Sequence, residues 1–277
     1  MKKLLGLLVT VILIVGFSGC LQTSKPPTKD TILKAIDSID TYTYEKKMIM
    51  KYPSLTREIY IYSGINRQEK QFFELLEINA TYSNGQFQRT KMLQYFDGSK
   101  NYVKMESNEN GKKNSGTWTF TINDIYRVYE QYYPDLPKDQ VLNKFIESRD
   151  ELLNVKDLLS KVNITETTKK GNKYEIKFVL YRQYISTPSI LQSYPSNASE
   201  TQEYMNMMKK LVRESIAGIL IVDKDGRPIS LKMKSNAKIT YLYSNETINA
   251  TGDYTIEFSY EYRLPKWVET LMEEAEK

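Results

Sequence analysis

The sequence predicts an α+β fold in which helices pack on one antiparallel sheet. Apolar and polar residues alternate through most of the chain, as they do in strands with one covered face. Asn84-Gly85 and Asp97-Gly98 separate such segments and favour tight hairpin turns. The three-and-four spacing of amphipathic helices occurs near residue 30, across residues 122–160 and from Ser199 onward, and a short C-terminal helix is predicted to start at Pro265.

The segment 1–19 is predicted to be a signal peptide and is excluded from the fold. Lys2 and Lys3 precede an apolar run at positions 4–17. A helix that crosses a bilayer needs about 20 apolar residues, so this run is too short for a transmembrane anchor. Its length and its basic start are typical of a secretory signal.

Cys20 is the single cysteine of the chain, and Ser18 and Gly19 come directly before it. The segment 17–20 resembles the lipobox of prokaryotic lipoproteins, which implies that Cys20 carries a diacylglycerol or palmitate-type modification. The alternatives are an ordinary signal peptide or a buried free cysteine. We expect an exported protein, anchored by Cys20 to the outer face of the cytoplasmic membrane or another envelope surface. Residues 20–29, which include Pro26-Pro27, then form a semi-rigid tether.

Composition excludes several classes of function. The net charge is +5, or +3 without Lys2 and Lys3, and it is spread along the chain, which does not indicate a nucleic-acid-binding protein. The absence of histidine excludes Ser-His-Asp catalysis and imidazole metal sites, and we expect no cofactor, no metal and no enzyme. Paired carboxylates that meet only in the folded chain, as in glycosidases, remain the alternative.

The predicted domain spans residues 30–277, with a helical insertion at about 122–160. A first helix at 30–40 is followed by six strands, at 42–52, 57–64, 70–82, 86–96, 100–107 and 116–122. Helices are predicted at 122–133 and, as one continuous element, at 138–161. A hairpin turns at Gly171, and closing strands lie at 218–244 and 253–264.

A further helix is predicted to begin at Ser199, where Ser199 and Gln202 have the spacing of a capping box. Its apolar face would contain the following side chains: Tyr204, Met207, Met208, Leu211, Val212 and Ser215. The last strand shows the clearest alternation in the chain, with these residues on one side: Tyr254, Ile256, Phe258, Tyr260 and Tyr262.

This order of elements, together with Asp223-Lys224-Asp225-Gly226-Arg227-Pro228 between two strands, resembles the LolA-like and LppX/LprG-like lipoproteins. The resemblance implies a strongly curved sheet, an incomplete β-barrel, with helices packed on its concave face. It also implies an apolar cavity that holds a lipid or another hydrophobic ligand, in a carrier or chaperone. LolA itself is soluble, whereas Cys20 would keep this chain at a membrane.

The side chains expected to line that cavity come from the Ser199 helix and the last strand: Tyr204, Met207, Met208, Leu211, Tyr254, Ile256, Phe258, Tyr260 and Tyr262. Flexible thioethers and amphipathic tyrosines suit an acyl-chain site, but the same residues also suit an ordinary core. A structural or protein-interaction module of the envelope without a ligand cavity is therefore the alternative function. N-glycosylation sequons occur at Asn79, Asn163, Asn197, Asn245 and Asn249.

Overall fold

Eleven antiparallel strands form one continuous sheet in the computed structural model, which describes residues 26–133, 135–186 and 209–276. The strands are β1 (Thr41–Tyr52), β2 (Leu55–Asn66), β3 (Gln71–Tyr82), β4 (Phe87–Phe96), β5 (Lys100–Glu109), β6 (Lys112–Thr121), β7 (Asn163–Lys170), β8 (Lys173–Ser186), β9 (Lys210–Asp223), β10 (Pro228–Tyr241) and β11 (Thr247–Ser259). The described helices are α1 (Lys29–Asp37), α2 (Ile122–Tyr132), α3 (Lys138–Glu147), α4 (Glu151–Lys161) and α5 (Lys266–Ala275).

The sheet consists of two meanders that meet at its centre. Its strand order is β6-β5-β4-β3-β2-β1-β11-β10-β9-β8-β7, so β1 pairs with β11 and the described strands do not close into a barrel. Positive φ angles at Gly85, Gly98, Gly171 and Gly226 fall in four of the hairpin turns, where glycine carries no steric penalty. The predicted α+β fold with a curved antiparallel sheet is confirmed.

The main hydrophobic core lies on the concave face, between the sheet and α1–α4. One cluster joins Phe72 and Phe96 from β3 and β4 to Ile176 and Phe178 from β8. These strands are far apart in the strand order, so the sheet must curve around the helices for their side chains to share a core. Ile32 and Ile36 of α1 are fully buried in the same cluster.

The C-terminal helix α5 packs on the opposite, convex face. Phe72 and Phe73 are neighbours on β3 and point to opposite faces, as successive residues of a strand do. Phe73 belongs to a second buried cluster with Val268 and Leu271 of α5. The sheet is therefore covered by helices on both faces at this position.

Two predicted helices are corrected by the structure. The expected continuous helix at 138–161 is two helices, because Asp150 caps α4, with Oδ1 accepting from the Leu153 N–H at 3.2 Å. The expected helix through Leu211 and Ser215 is wrong from Lys210 onward, where the chain forms β9. Residues separated by four, such as Leu211 and Ser215, share a face in a helix and in a strand, so their spacing did not distinguish the two. Residues 199–208 lie outside the described residues.

Candidate functional site

An apolar surface continues along the concave face beyond the main core. The cross-strand register places the residues of this open concave surface side by side on β1–β6: Met48, Ile59, Ile61, Leu76, Ile78, Met92, Val103, Met105 and Trp118. They lie on the same face as Phe72 and Phe96 but are only partly covered. Met105 is 41% exposed and Trp118 is 44% exposed. Such a contiguous, partly exposed apolar area on a sheet marks a binding surface more often than scattered single residues do.

A cavity of about 250 Å³ lies between α4 and strands β8–β11. Its apolar lining comprises Val155, Leu158, Leu180, Ile216, Leu231, Met233 and Tyr254. Polar and charged side chains also border it, namely Glu151, Asn154, Asp157, Lys161, Arg182 and Glu214. Arg182 Nε donates to Glu214 Oε2 at 2.7 Å, so two of these charges neutralise each other. Small-molecule sites typically enclose at least roughly 300 Å³, so the cavity alone is smaller than such a site.

The cavity and the open concave surface are adjacent. Tyr254 lines the cavity and pairs across the β1–β11 junction with Met48, which belongs to the open concave surface. Next to this pair, Lys46 Nζ lies 3.0 Å from Glu151 Oε2 at the start of α4. A ligand longer than the cavity therefore has a continuous apolar path from β10 to β5.

A row of polar residues separates the main core from the open concave surface. The register aligns Tyr44, Ser63, Glu74 and Gln94 across β1–β4. Ser63 Oγ donates to the Phe73 carbonyl at 2.8 Å, and Gln94 Nε2 donates to Asn101 Oδ1 at 2.9 Å. Glu74, at 5% exposure, makes no hydrogen bond or ion pair with any described residue. Burial raises the pKa of Glu74, while the Arg149 and Lys46 charges oppose this effect.

A buried ionic network holds α4 over the site. The Arg67 guanidinium donates from Nε to Asp150 Oδ2 at 2.6 Å and from Nη2 to Oδ1 at 3.0 Å. The Tyr42 hydroxyl donates to the same Oδ1 at 2.8 Å and accepts from the Leu152 N–H at 3.1 Å. Burial, and then the Asp150 charge, raise the pKa of Tyr42 far above its usual value. Because Arg67 also donates to the Ile36 and Ile39 carbonyls, the network ties α4 to α1 and to the sheet.

The structure separates the side chains that the sequence grouped on the last strand. Tyr254 borders the cavity, whereas Ile256 and Phe258 lie in the main core. The Tyr260 hydroxyl donates to the Pro228 carbonyl. Tyr262 is on the convex side, where its ring packs on Phe73 and its buried hydroxyl has no partner among the described residues.

The remaining predicted site residues fall elsewhere or outside the described part of the chain. Leu211 pairs with Thr240 and Ile185 on the face opposite to Val212 and Ile216, so it does not border the cavity with Tyr254. This position follows from the strand conformation of β9, in which neighbours alternate. The residues that lie outside the described ranges are Cys20, Tyr204, Met207, Met208 and Asn197.

The sequons occupy varied positions. Asn163, Asn245 and Asn249 are exposed, and Asn79 is half-buried on β3. Asn245 has a positive φ of 56° in the turn between β10 and β11. Exposure is compatible with modification at the first three positions.

Sequence reasoning missed the open concave surface and Glu74. The alternation in β1, β2 and β3 was recognised as strand signal, and the same alternation assigns Met48, Ile59 and Leu76 to one face. The site predicted from the sequence lies on the last strand instead, where the alternation is clearest. No signal in the sequence distinguishes Glu74 from the other glutamates, since its burial depends on long-range packing under the α3–α4 connection.

Comparisons with known proteins give no family assignment. No protein-family model and no curated protein matches the chain. Among solved structures, a beta-barrel-like protein of the domain of unknown function DUF1849 from Brucella abortus aligns over 80% of this chain and 99% of its own, with 9% identity and a TM-score of 0.32. A DUF1329 family protein from Desulfovibrio piger aligns over 85% of this chain and 92% of its own (11% identity, TM-score 0.20). A porin-like protein from Bacteroides uniformis aligns over 79% of this chain and 96% of its own (10% identity, TM-score 0.19). With these TM-scores the likeness carries no argument about function.

Proposed function

We propose that the chain is an exported lipoprotein, anchored through Cys20, that binds a lipid or another long apolar molecule on its concave face without catalysing a reaction. The observation that carries the proposal is the open concave surface and its continuity with the cavity beside α4. Burying partly exposed apolar side chains is favourable by roughly 25 cal/mol per Å², so an acyl chain laid along this path would gain affinity over most of its length. The resemblance to LolA-like lipoproteins supports the same function.

The membrane is the expected source of the ligand. Among the described residues, none of the helices combines the length and the apolar character needed to cross a bilayer. In this proposal Cys20 attaches the chain to the membrane, with residues 20–29 as the spacer. Fractionation of the native host after Cys20→Ser tests the anchor. The variant is expected to leave the membrane fraction, and a variant as firmly bound as the parent would contradict the anchor.

Organic extraction of the purified protein, followed by mass spectrometry, tests ligand binding. We expect copurified acyl chains in the extract of the parent. Leu76→Gln places an amide on the open concave surface and should reduce the extracted lipid several-fold. Leu75→Gln is a matched control, because Leu75 is also half-buried on β3 but lies on the convex face opposite Leu93. A parent extract without lipid would instead favour an interaction module of the cell envelope.

A further inference from the structure

The polar row contains one group whose hydrogen-bonding capacity is unused. Ser63 and Gln94, which flank Glu74 across the strands, both have partners within the protein. Glu74 has no such partner among the described residues, although it is buried, with 5% exposure. A buried carboxyl without a partner costs on the order of the desolvation penalty of the group, so such positions call for an explanation.

The Glu74 carboxyl is not fully enclosed. The fully enclosed polar atoms that lack a hydrogen bond, within the described ranges, are Arg57 Nε, Arg149 Nε and the Tyr262 hydroxyl. Neither oxygen of Glu74 belongs to this set, and neither has a partner, so both keep contact with space that solvent can enter. Glu74 also lies next to the open concave surface, because Leu76 and Ile78 follow it on the same face of β3.

The charges around Glu74 favour an anion. Arg149 from the α3–α4 connection and Lys46 from β1 act on it as cations, and Glu151 from α4 acts as an anion. Lys46 and Glu151 pair with each other at 3.0 Å, whereas the Arg149 side chain makes, among the described residues, a single hydrogen-bond contact, 3.5 Å from Nη2 to Gln94 Oε1. Lys46 and Glu151 neutralise each other, so Arg149 is the cation left to face Glu74 and a ligand beside it. A ligand carboxylate in contact with Glu74 would share one proton with it, because two carboxylates in contact do not both ionise, and the hydrogen bond of such a pair is charge-assisted.

We propose that Glu74 and Arg149 receive the carboxylate head group of a single-chain fatty acid whose chain lies on the open concave surface. Glu74 donates its proton as a hydrogen bond to the ligand carboxylate, and Arg149 compensates the ligand charge. From Glu74 to Ile78 the strand spans about 13 Å, which gives the chain an apolar path from its first carbons onward. This inference rests on the proposed function and adds the class of ligand.

The test uses the full chain in membrane vesicles from its expression host, with a palmitic acid that carries a photoreactive diazirine at the end of its chain. Adducts are quantified by mass spectrometry while palmitic acid or hexadecanol is added as a competitor. Palmitic acid should compete at a concentration at least about tenfold lower than hexadecanol, the difference expected when a charge-assisted hydrogen bond is lost. Adducts should map to the open concave surface.

Variants of Glu74 separate recognition from folding. Glu74→Gln keeps a neutral donor and should retain the preference for palmitic acid, whereas Glu74→Leu removes the donor, leaves Arg149 in place and should reduce the preference several-fold. Glu77→Leu is the matched control, because Glu77 lies on the same strand but on the convex face, 3.8 Å from Arg89 and 3.7 Å from Lys91. Absence of any adduct on the concave face would refute the proposed function. Two results would refute the head-group site alone. In the first, adducts form on the concave face but palmitic acid and hexadecanol compete equally well. In the second, Glu74→Leu keeps the parent's preference for palmitic acid.

Discussion

Replacing Asp150 with alanine should destabilise the protein by about 3 kcal/mol, the low end of the cost of breaking a buried ion pair. The substitution removes both hydrogen bonds from Arg67, the acceptor of the Tyr42 hydroxyl and the N-cap of α4. Loss of one partner of a buried ion pair costs about 3–5 kcal/mol. The cap is worth about 1 kcal/mol, but it uses the same carboxylate as the ion pair, so the two losses are coupled and are not added. The Arg67 side chain is 20% exposed and keeps two carbonyl acceptors, so we expect the low end of the range.

Urea unfolding monitored by fluorescence measures this change as a shift of the midpoint at constant slope. Asp150→Asn keeps an oxygen for Tyr42 and for the Leu153 N–H but loses the charge, so it should cost about 1–2 kcal/mol. Asp157→Ala is the control on the same helix, because its pair with Lys161 is more than half exposed on both sides and is worth less than about 0.5 kcal/mol. Asp150→Ala and Asp157→Ala could instead have nearly the same free energy of unfolding, differing by no more than the effect of an ordinary surface substitution. In that case the network does not hold α4 in place.

Three further outcomes are expected. Gly64→Ala should cost about 1–3 kcal/mol, because a Cβ there would lie 2.3 Å from the buried ring of Phe73; unchanged thermal unfolding would contradict this. Partial burial opposes ionisation of Asp97, but hydrogen bonds from two backbone N–H groups of its turn prevail and lower its pKa. The ionised Asp97 carboxyl therefore stabilises the fold above its unfolded pKa, and this stabilisation is lost as pH falls through the folded pKa. Asp97→Asn should accordingly make the free energy of unfolding fall less steeply at acid pH. The pKa of Glu74 is raised, so its effect on stability changes with pH in the opposite direction to that of Asp97. The protonated carboxyl favours the fold at low pH, and this contribution is lost as pH rises through the folded pKa. Glu74→Gln should accordingly gain stability relative to the parent between acid and neutral pH, and a constant difference across that range would count against a buried, unpaired carboxyl.

Local signals allowed much of the fold to be predicted. The period-two segments and the glycine turns located β1–β6 and the β7–β8 hairpin, and the three-and-four spacing located α1 and α2. The break at Asp150 was missed because the apolar spacing continues across it, although aspartate is a favoured N-cap residue; the pair with Arg67, which is distant in sequence, adds to this local contact. The strand conformation of Leu211 was missed because pairing with β8 and β10 decides it, and no local pattern reports such pairing.

The sequence predicted which side chains of the last strand face inward, but not which of them border open space. Alternation marked Tyr254 and Ile256 as facing inward, and both do, yet whether an inward side chain meets a helix or open space depends on where α3 and α4 lie. That placement is set by the Arg67–Asp150 pair and by the core around Phe145. Neither can be derived from the periodicity of a single segment.

The β1–β11 junction has a consequence for how the chain reaches its native state. In this pair Thr43 lies opposite Ser259, near the other end of the chain. Every other pair in the sheet joins strands that are consecutive in sequence, and of these β8 and β9 have the longest connection. Because closing a long loop costs entropy before its contacts form, the two meanders should acquire structure before they join. The strand β1 would then remain paired with β2 alone until almost the whole polypeptide is available for folding. Amide hydrogens of β1 that bond to β11 should thus gain protection later during refolding than those that bond to β2.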